Sequence, residues 1–205
     1  MEATSTFRLE RVAEANFPTR FGTFRIYGFR GHSQSKVEEA AVLVMGDPAE
    51  GEPPLVRIHS QCLTGDVFHS LRCDCRSQLE LAMERISEAG RGVLIYEMQE
   101  GRGIGLMNKL RAYALQDGGA DTVEANEQLG FDADLRNYEL PGSILRDLGI
   151  SRVRLLSNNP DKILALENAG VRVAERVPCV APPMHTTEDY LRTKKEKMGH
   201  LFEGF

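Results

Sequence analysis

The sequence of 205 residues contains no tryptophan, only four cysteines and no excess of positive charge. Its 25 Lys and Arg residues stand against 30 Asp and Glu residues, which gives a net charge of −5. Proteins that bind nucleic acids or anionic membranes over a broad surface usually carry a net positive charge, so this balance argues against both classes of partner. It leaves room for a local basic pocket.

Long apolar runs are also missing. No segment approaches the ~20 apolar residues that a membrane helix requires, and the N-terminal stretch MEATSTFRLERVAEA lacks the apolar core of a secretory signal. We therefore expect a cytoplasmic protein. In a reducing compartment, the four cysteines are expected to be metal ligands or isolated thiols rather than disulfides.

The hydropathy pattern predicts an α+β (mixed α/β) fold in a single domain over residues 1–205, with a β-rich N-terminal half and β-α alternation later. Two-residue alternation and short apolar runs predict strands at 22–27, 40–45, 55–59, 93–96, 153–156 and 171–175. Apolar spacing and capping residues predict helices from an N-cap at Ser77 to Gly90, and at 104–117, 121–129, 160–169 and 186–198.

Three of the cysteines, Cys62, Cys73 and Cys75, fall within fourteen residues. Thiolates suit zinc, and three protein ligands leave the fourth tetrahedral position to water, which is the arrangement of a catalytic site. Two alternatives stay open. The thiols bind no metal, or His59, His69 or Cys179 closes a structural site, although the apolar neighbours of Cys179 favour a core position.

Anion-binding candidates lie in three further segments. The stretch Gln99–Gly105 follows a predicted strand and precedes a predicted helix, where backbone N–H groups and Arg102 suit a phosphate, although an ordinary strand–turn–helix fits as well. Asp134 and Arg136 suit a base and a phosphate clamp or, alternatively, a solvated surface run. In Ser157–Lys162, the lysine suits a phosphate, and capping alone explains the Ser and Asn residues.

Six strings resemble the GTP cyclohydrolase II family, in the family's order over about residues 8–202. They are Arg57-Ile-His-Ser-Gln-Cys-Leu-Thr-Gly-Asp66, Ser70-Leu-Arg-Cys-Asp-Cys75, the run from Gln99 to Asp117, Asp121-Thr-Val-Glu-Ala-Asn126, Leu155-Leu-Ser-Asn-Asn-Pro160 and Lys197-Met-Gly-His-Leu201. The chain length suits a stand-alone form without the dihydroxybutanone-phosphate synthase domain of the bifunctional relatives.

The resemblance implies hydrolysis of GTP as the first step of riboflavin biosynthesis. The guanine imidazole ring opens with release of formate and pyrophosphate, and the product is 2,5-diamino-6-ribosylamino-4(3H)-pyrimidinone 5′-phosphate. The family uses one zinc ion per chain and magnesium with the triphosphate, and it implies a homodimer with no nucleic-acid polymer or membrane as partner.

The resemblance also implies roles for individual residues. The zinc ligands are Cys62, Cys73 and Cys75; the GTP contacts are Arg57, Ile58, His59, Ser60, Gln61, Gln78, Glu100, Gly101, Arg102, Thr122, Ser157 and Lys162. Asp134 corresponds to the proton acceptor, Arg136 to a residue acting at the α-phosphate and Tyr113 to an active-site tyrosine near the ring. We expect Glu100 to accept hydrogen bonds from the amide edge of guanine.

The chain departs from the family pattern at three positions. Gln61 stands where a Glu is usual, Ser157 replaces a usual Thr, and Arg76 follows Cys75 where Gly is common. The loss of one negative charge beside the cysteines leaves open a variant cyclohydrolase that stops at a formylated pyrimidine or feeds a different pathway. A non-catalytic nucleotide- or zinc-binding relative is the second alternative.

Overall fold

Seven strands form one mixed sheet in the computed structural model, which describes residues 7–34, 36–132, 135–180 and 201. The strands are β1 (Arg8–Thr19), β2 (Gly22–His32), β3 (Val37–Met45), β4 (Leu55–Ser60), β5 (Gly92–Glu97), β6 (Arg152–Leu156) and β7 (Arg172–Val177). They lie in the order β1-β2-β3-β5-β4-β6-β7. The pairs from β1 to β5 are antiparallel, and the pairs among β5, β4, β6 and β7 are parallel.

The α-helices of the described residues lie between the strands β4, β5, β6 and β7 along the chain. They are α1 (Leu63–Asp66), α2 (Cys75–Ala89), α3 (Leu106–Asp117), α4 (Thr122–Gln128), α5 (Glu139–Asp147) and α6 (Pro160–Asn168). The mixed α/β fold and its β-rich N-terminal half are therefore confirmed. None of these helices has both the length and the apolar character that crossing a membrane demands.

One helix boundary differs from the prediction. Helix α2 begins at Cys75, with Asp74 in the N-cap position, so the prediction of Ser77 as the cap is wrong. The backbone N–H of Gln78 already donates to the Asp74 carbonyl at 3.0 Å, because the second half of the Cys-Asp-Cys motif is itself the start of the helix. Its end at Gly90 is confirmed, with φ of 65° in the left-handed region.

Alternating residues of the central strands face two apolar layers. On β4 and β5, the residues Val56, Ile58, Val93 and Ile95 belong to one cluster, which α5 and α6 cover. Leu55 and Leu94 belong to the second cluster, with Ala82 and Ile86 of α2. The apolar runs at 55–59 and 93–96 were predicted as strands, and successive side chains of a strand point to opposite faces, so these runs supply both layers.

Helix α5 was not predicted. Its segment contains Pro141 and Gly142, which normally argue against a helix, but Pro141 lies in the first turn, where no intrahelical N–H is needed. A Cβ on Gly142 would lie 2.3 Å from the Cβ of Ala169 at the end of α6. The glycine therefore allows α5 and α6 to approach closely, which sequence patterns do not report.

The carboxyl ends of β4, β5 and β6 share one edge of the sheet. From β4 the chain passes through α2 to β5 on one side, and later reaches β6 on the other side of β4. A crevice forms where such an order reverses, and ligands of α/β proteins bind there. The charged helix predicted at 186–198 lies outside the described residues.

Candidate active site

The three clustered cysteines meet just beyond the carboxyl end of β4. Cys62 precedes α1, Cys73 lies in the following loop, and Cys75 opens α2. The Sγ atoms of Cys62 and Cys73 are 3.7 Å apart, and all three sulfurs lie within 4.8 Å of one another. Tetrahedral zinc with bonds of ~2.3 Å places two sulfurs about 3.8 Å apart, so these residues fit the metal.

Gly65 of α1 closes the cysteine group from one side. A Cβ at this position would lie 2.8 Å from the Cys73 sulfur and 3.1 Å from the Cys62 sulfur. Real Cβ atoms essentially never approach a neighbour this closely, so any larger residue displaces a sulfur. The short helix thus leaves the space that the three thiols require.

The three candidate fourth ligands do not join the group. His59 is buried, and its Nε2 lies 3.1 and 3.2 Å from the two carboxylate oxygens of Asp66. Cys179 is a buried core thiol in the apolar cluster beneath α2, and His69 is exposed. Among the described residues, the metal-binding group therefore has three members, which contradicts a closed site built on one of these candidates.

A buried ion pair adjoins the sulfurs. The Lys109 ammonium donates to the Cys62 sulfur at 3.1 Å and to Glu100 Oε1 at 2.8 Å. Burial lowers the pKa of Lys109, but Glu100 and Cys62 raise it overall. Hydrogen bonds with the Cys73 and Cys75 thiols, aided by Lys109, lower the pKa of Cys62, so this sulfur is the readiest of the three to be a thiolate.

Tyr113 of α3 lies beside the cysteine loop. Its hydroxyl is 3.0 Å from the Thr64 hydroxyl, and the Arg72 guanidinium is 4.8 Å from the centre of its ring. Burial raises the pKa of Tyr113, which keeps the phenol protonated. The tyrosine is therefore held at the cysteine end of the crevice.

Most of the predicted site residues line one cleft at this edge of the sheet. Those lining it are Arg57, His59, Ser60, Gln61, Cys62, Cys73, Cys75, Gln78, Glu100, Gly101, Arg102, Tyr113, Arg136, Ser157 and Lys162. Ile58 differs, because its side chain is fully buried in the core and it contributes its carbonyl to Lys162. Asp134 and the side chain of Thr122, at the start of α4, lie outside the described residues.

The turn after β5 is more constrained than a plain strand–turn–helix. Gly101 and Arg102 have φ of 62° and 59°, both in the left-handed region, and α3 begins only at Leu106. An arginine adopts this conformation only where its surroundings hold it, and the Leu135 N–H binds the Arg102 carbonyl at 3.1 Å. The strained backbone presents the guanidinium to the cleft.

Two cations that line the cleft lie near the ring of Tyr138. The Lys162 ammonium is buried, donates to the Ile58 carbonyl at 2.8 Å and lies 5.4 Å from the centre of the Tyr138 ring. The Arg136 guanidinium lies 5.8 Å from the same ring. Arg136 is half-buried and lines the cleft, and its role as a phosphate clamp stays a prediction.

The loop before α6 contains a helix-capping residue and a residue that lines the cleft. The Asn159 side chain accepts from the Asp161 N–H at 2.9 Å and caps the helix, and the Ser157 hydroxyl accepts from the Asn159 N–H at 3.1 Å. The capping explanation is thus confirmed for Asn159. Ser157 also lines the cleft, so its hydroxyl shapes the loop from inside the site.

Three residues that contact the cysteines were not assigned a role from the sequence. They are Lys109, Gly65 and Asp66, which accepts from the Tyr96 hydroxyl at 2.7 Å and the Cys62 N–H at 3.0 Å. All three lie in the strings that carry the resemblance, and that membership is the signal that could have found them. Residue type alone gives none, because a lysine 47 positions from Cys62 predicts no contact.

Comparison with known proteins assigns the family. The family model of GTP cyclohydrolase II matches residues 10–178. The GTP cyclohydrolase-2 of Actinobacillus succinogenes is 55% identical over 193 residues, which cover 94% of this chain and 88% of that protein. The riboflavin biosynthesis protein RibBA of Chlorobium phaeovibrioides is 52% identical, with 94% of this chain and 47% of that protein covered.

The chain thus spans about half the length of the RibBA relatives, 47–48% of the proteins from Chlorobium phaeovibrioides and Aquifex aeolicus. A solved structure, the two-domain dihydroxybutanone-phosphate synthase RibBX of A. baumannii, matches 86% of the chain at 22% identity with a TM-score of 0.47. The extent of the family match and the identity to near-full-length relatives lead to one conclusion. The chain belongs to the GTP cyclohydrolase II family, enzymes of riboflavin biosynthesis that act on GTP.

Proposed function

We propose that this protein hydrolyses GTP to formate, pyrophosphate and 2,5-diamino-6-ribosylamino-4(3H)-pyrimidinone 5′-phosphate. The reaction uses one zinc ion held by Cys62, Cys73 and Cys75, and magnesium enters with the triphosphate. The single observation that carries the proposal is the shared cleft. A three-thiol group that fits zinc lines the same cleft as the Arg136 and Lys162 cations, which lie near the Tyr138 ring.

The cysteine end suits attack on the guanine ring. When bound, zinc supplies Lewis acidity and lowers the pKa of a water for hydrolysis at neutral pH. The chain's own residues organise this end, since Asp66 holds the Cys62 backbone and Lys109 donates to the Cys62 sulfur. The protonated Tyr113 hydroxyl, beside the same loop, is available as a proton or hydrogen-bond donor to the opening ring.

The cationic end suits the phosphates. Cleavage between the α- and β-phosphates develops negative charge, which fixed cations stabilise. Arg102, Arg136 and Lys162 supply three such charges in the cleft. We assign Arg136 to charge stabilisation rather than to covalent attack, because a guanidinium stays protonated in proteins and carries no lone pair suited to a nucleophile.

The Glu100 carboxylate accepts three hydrogen bonds from the protein itself, which was not expected from the sequence. Its Oε1 accepts from Lys109 and from the Gly101 N–H at 2.9 Å, and its Oε2 accepts from the Leu63 N–H at 2.7 Å. A carboxylate offers about four acceptor positions, so one remains, on Oε2. We propose that Glu100 accepts one guanine N–H there while it supports the cysteine loop.

The remaining expectations belong to the same proposal. They are a single-domain cyclohydrolase over residues 1–205, a homodimer, and a cytoplasmic protein without a nucleic-acid polymer or membrane partner. The four cysteines are all free thiols, which agrees with a reducing compartment. Light scattering at micromolar concentration tests the dimer, and a particle of one chain mass, 22.8 kDa, would contradict it.

The test separates the two chemistries. The protein is incubated with GTP, magnesium and zinc, and formate, pyrophosphate and the pyrimidine are assayed separately. Wild type is expected to release all three. Cys75→Ser is expected to lose formate release and keep pyrophosphate release, whereas Arg136→Ala loses pyrophosphate release by roughly 10²–10³-fold. Arg111→Ala, an exposed arginine of α3, is the matched control.

Each contrary result has a distinct meaning. Release of pyrophosphate and a formylated pyrimidine, without formate, from wild type indicates a variant that stops at that pyrimidine, whereas pyrophosphate with GMP indicates that the ring is not opened. GTP binding without any product indicates a non-catalytic relative. If Cys75→Ser binds GTP as wild type does yet releases no pyrophosphate, the assignment of separate roles to the two ends of the cleft is wrong.

A further inference from the structure

Glu97, the last residue of β5, is a buried carboxyl group that the proposed reaction does not use. Its side chain is 0% exposed, and it continues the face of β5 that carries Val93 and Ile95. Its Oε1 accepts from Gln99 Nε2 at 3.0 Å, and its Oε2 has no hydrogen-bond partner among the described residues. Buried polar atoms almost always have partners, so this arrangement requires an explanation.

Gln99 connects Glu97 to the phosphate end of the cleft. Gln99 Nε2 also donates to the Asn137 carbonyl at 2.7 Å, and Gln99 Oε1 accepts from the Asn137 N–H at 3.1 Å. A side-chain amide can bind in either of two orientations. Glu97 Oε1 accepts from Gln99 Nε2 both when the carboxyl is ionised and when it is neutral with its proton on Oε2, so it favours the orientation that clamps Asn137. Asn137 lies directly after Arg136 in the chain.

Charged groups surround Glu97 from several elements. Lys162 of α6 and Arg136 lower its pKa, as does Lys36 before β3, whereas Glu38 of β3 raises it. Burial is the largest influence and raises the pKa of Glu97 to about 8. Near neutral pH the carboxyl is therefore largely neutral. Above about pH 8 its charge attracts the same two cations that are assigned to the phosphates.

We propose that Glu97 is a positioning residue for the phosphate-binding end of the cleft. It orients the Gln99 amide, Gln99 clamps the Asn137 backbone, and this clamp places Arg136. The inference rests on the proposed function for the roles of Arg136 and Lys162, but the clamp itself is a property of the folded chain. Two measurements test the clamp and the proposed function separately.

The first measurement is amide hydrogen exchange at Asn137. Glu97→Gln keeps an oxygen that accepts from Gln99, whereas Glu97→Leu fills the space without one. We expect exchange of the Asn137 amide to rise at least tenfold in Glu97→Leu and to stay within threefold of wild type in Glu97→Gln. Thermal unfolding checks that both variants fold. If the Asn137 amide exchanges equally slowly in wild type and both variants, the positioning role of Glu97 is wrong. This result does not depend on what the protein does with GTP.

The second measurement is the pH profile of KM for GTP in pyrophosphate release. In wild type, KM is expected to rise above pH 8, by about tenfold more than in Glu97→Gln by pH 9.5, since a buried charge then opposes phosphate binding. This readout also serves if Glu97→Leu fails to fold. Parallel profiles for wild type and Glu97→Gln overturn the inference. Absence of GTP turnover in wild type overturns the proposed function instead, and the exchange result then decides the role of Glu97.

Discussion

Lys109 donates a hydrogen bond of 3.1 Å to the sulfur of Cys62, from α3 to the loop after β4. Three thiolates around a divalent zinc would carry a net charge of −1, which the ammonium would compensate. The same ammonium donates to Glu100 at 2.8 Å, so one cation connects the cysteine group to another residue that lines the cleft.

Replacement of Lys109 by methionine is expected to weaken zinc binding. A hydrogen bond to a charged group contributes ~1.5–3 kcal/mol, which corresponds to roughly 10–100-fold in affinity. Competition with a chromogenic chelator measures the effect directly. Arg111→Met, at an exposed position of the same helix, is the control. Equal zinc affinity in the two variants would show that Lys109 does not stabilise the metal group.

Cysteine substitutions are expected to divide into two classes. Cys75→Ser removes one of three ligands, so the purified variant should contain far less than the one zinc per chain expected of wild type. Cys179→Ser should retain the metal, because Cys179 lies in the apolar cluster beneath α2. Metal analysis by mass spectrometry checks both. Full zinc content in Cys75→Ser would contradict the three-cysteine site.

Gly65→Ala is expected to lower zinc occupancy without unfolding the protein. Alanine favours a helix over glycine by about 1 kcal/mol, so a loss of zinc is not attributable to helix propensity. The new methyl group would instead lie 2.8 Å from the Cys73 sulfur. Gly28→Ala, whose Cβ would meet only Val12 at 3.9 Å, is the control. Wild-type zinc affinity in Gly65→Ala would show that the loop adapts.

Glu97 is expected to make stability depend on pH. Burial raises the pKa of Glu97 from 4.5 to about 8, so between these values the folded protein binds a proton that the unfolded chain releases. Relative to Glu97→Gln, wild type should therefore lose free energy of unfolding as the pH rises from about 5 to 8, by up to ~1.4 kcal/mol per pH unit, and level off above.

Urea denaturation at pH 5, 6.5, 8 and 9 measures this difference. Glu88→Gln, an exposed carboxylate of α2, controls for changes in net charge. A difference between wild type and Glu97→Gln that stays constant across this range would mean that Glu97 is ionised throughout.

Local patterns in the amino-acid sequence were sufficient to predict many of the strands and helices and the grouping of Cys62, Cys73 and Cys75. Strands β3, β4 and β5 were predictable because their apolar side chains alternate or are continuous, and α3, α4 and α6 because glycines and capping residues bound them. Cys62, Cys73 and Cys75 were recognisable as one site because a short segment carries all three. These patterns depend only on residues that are close together in the chain.

The contacts between those elements were not predictable from local sequence patterns, because they depend on the tertiary structure. Helix α5 depends on the close approach of Gly142 to Ala169, which no local pattern reports. Lys109 contacts Cys62, and Glu97 is buried at the end of β5, because β5 pairs with both β3 and β4 and brings the segments that follow β4 and β5 to one edge. Strand order sets these distances, and strand order depends on burial of the whole sheet rather than on any single stretch of sequence.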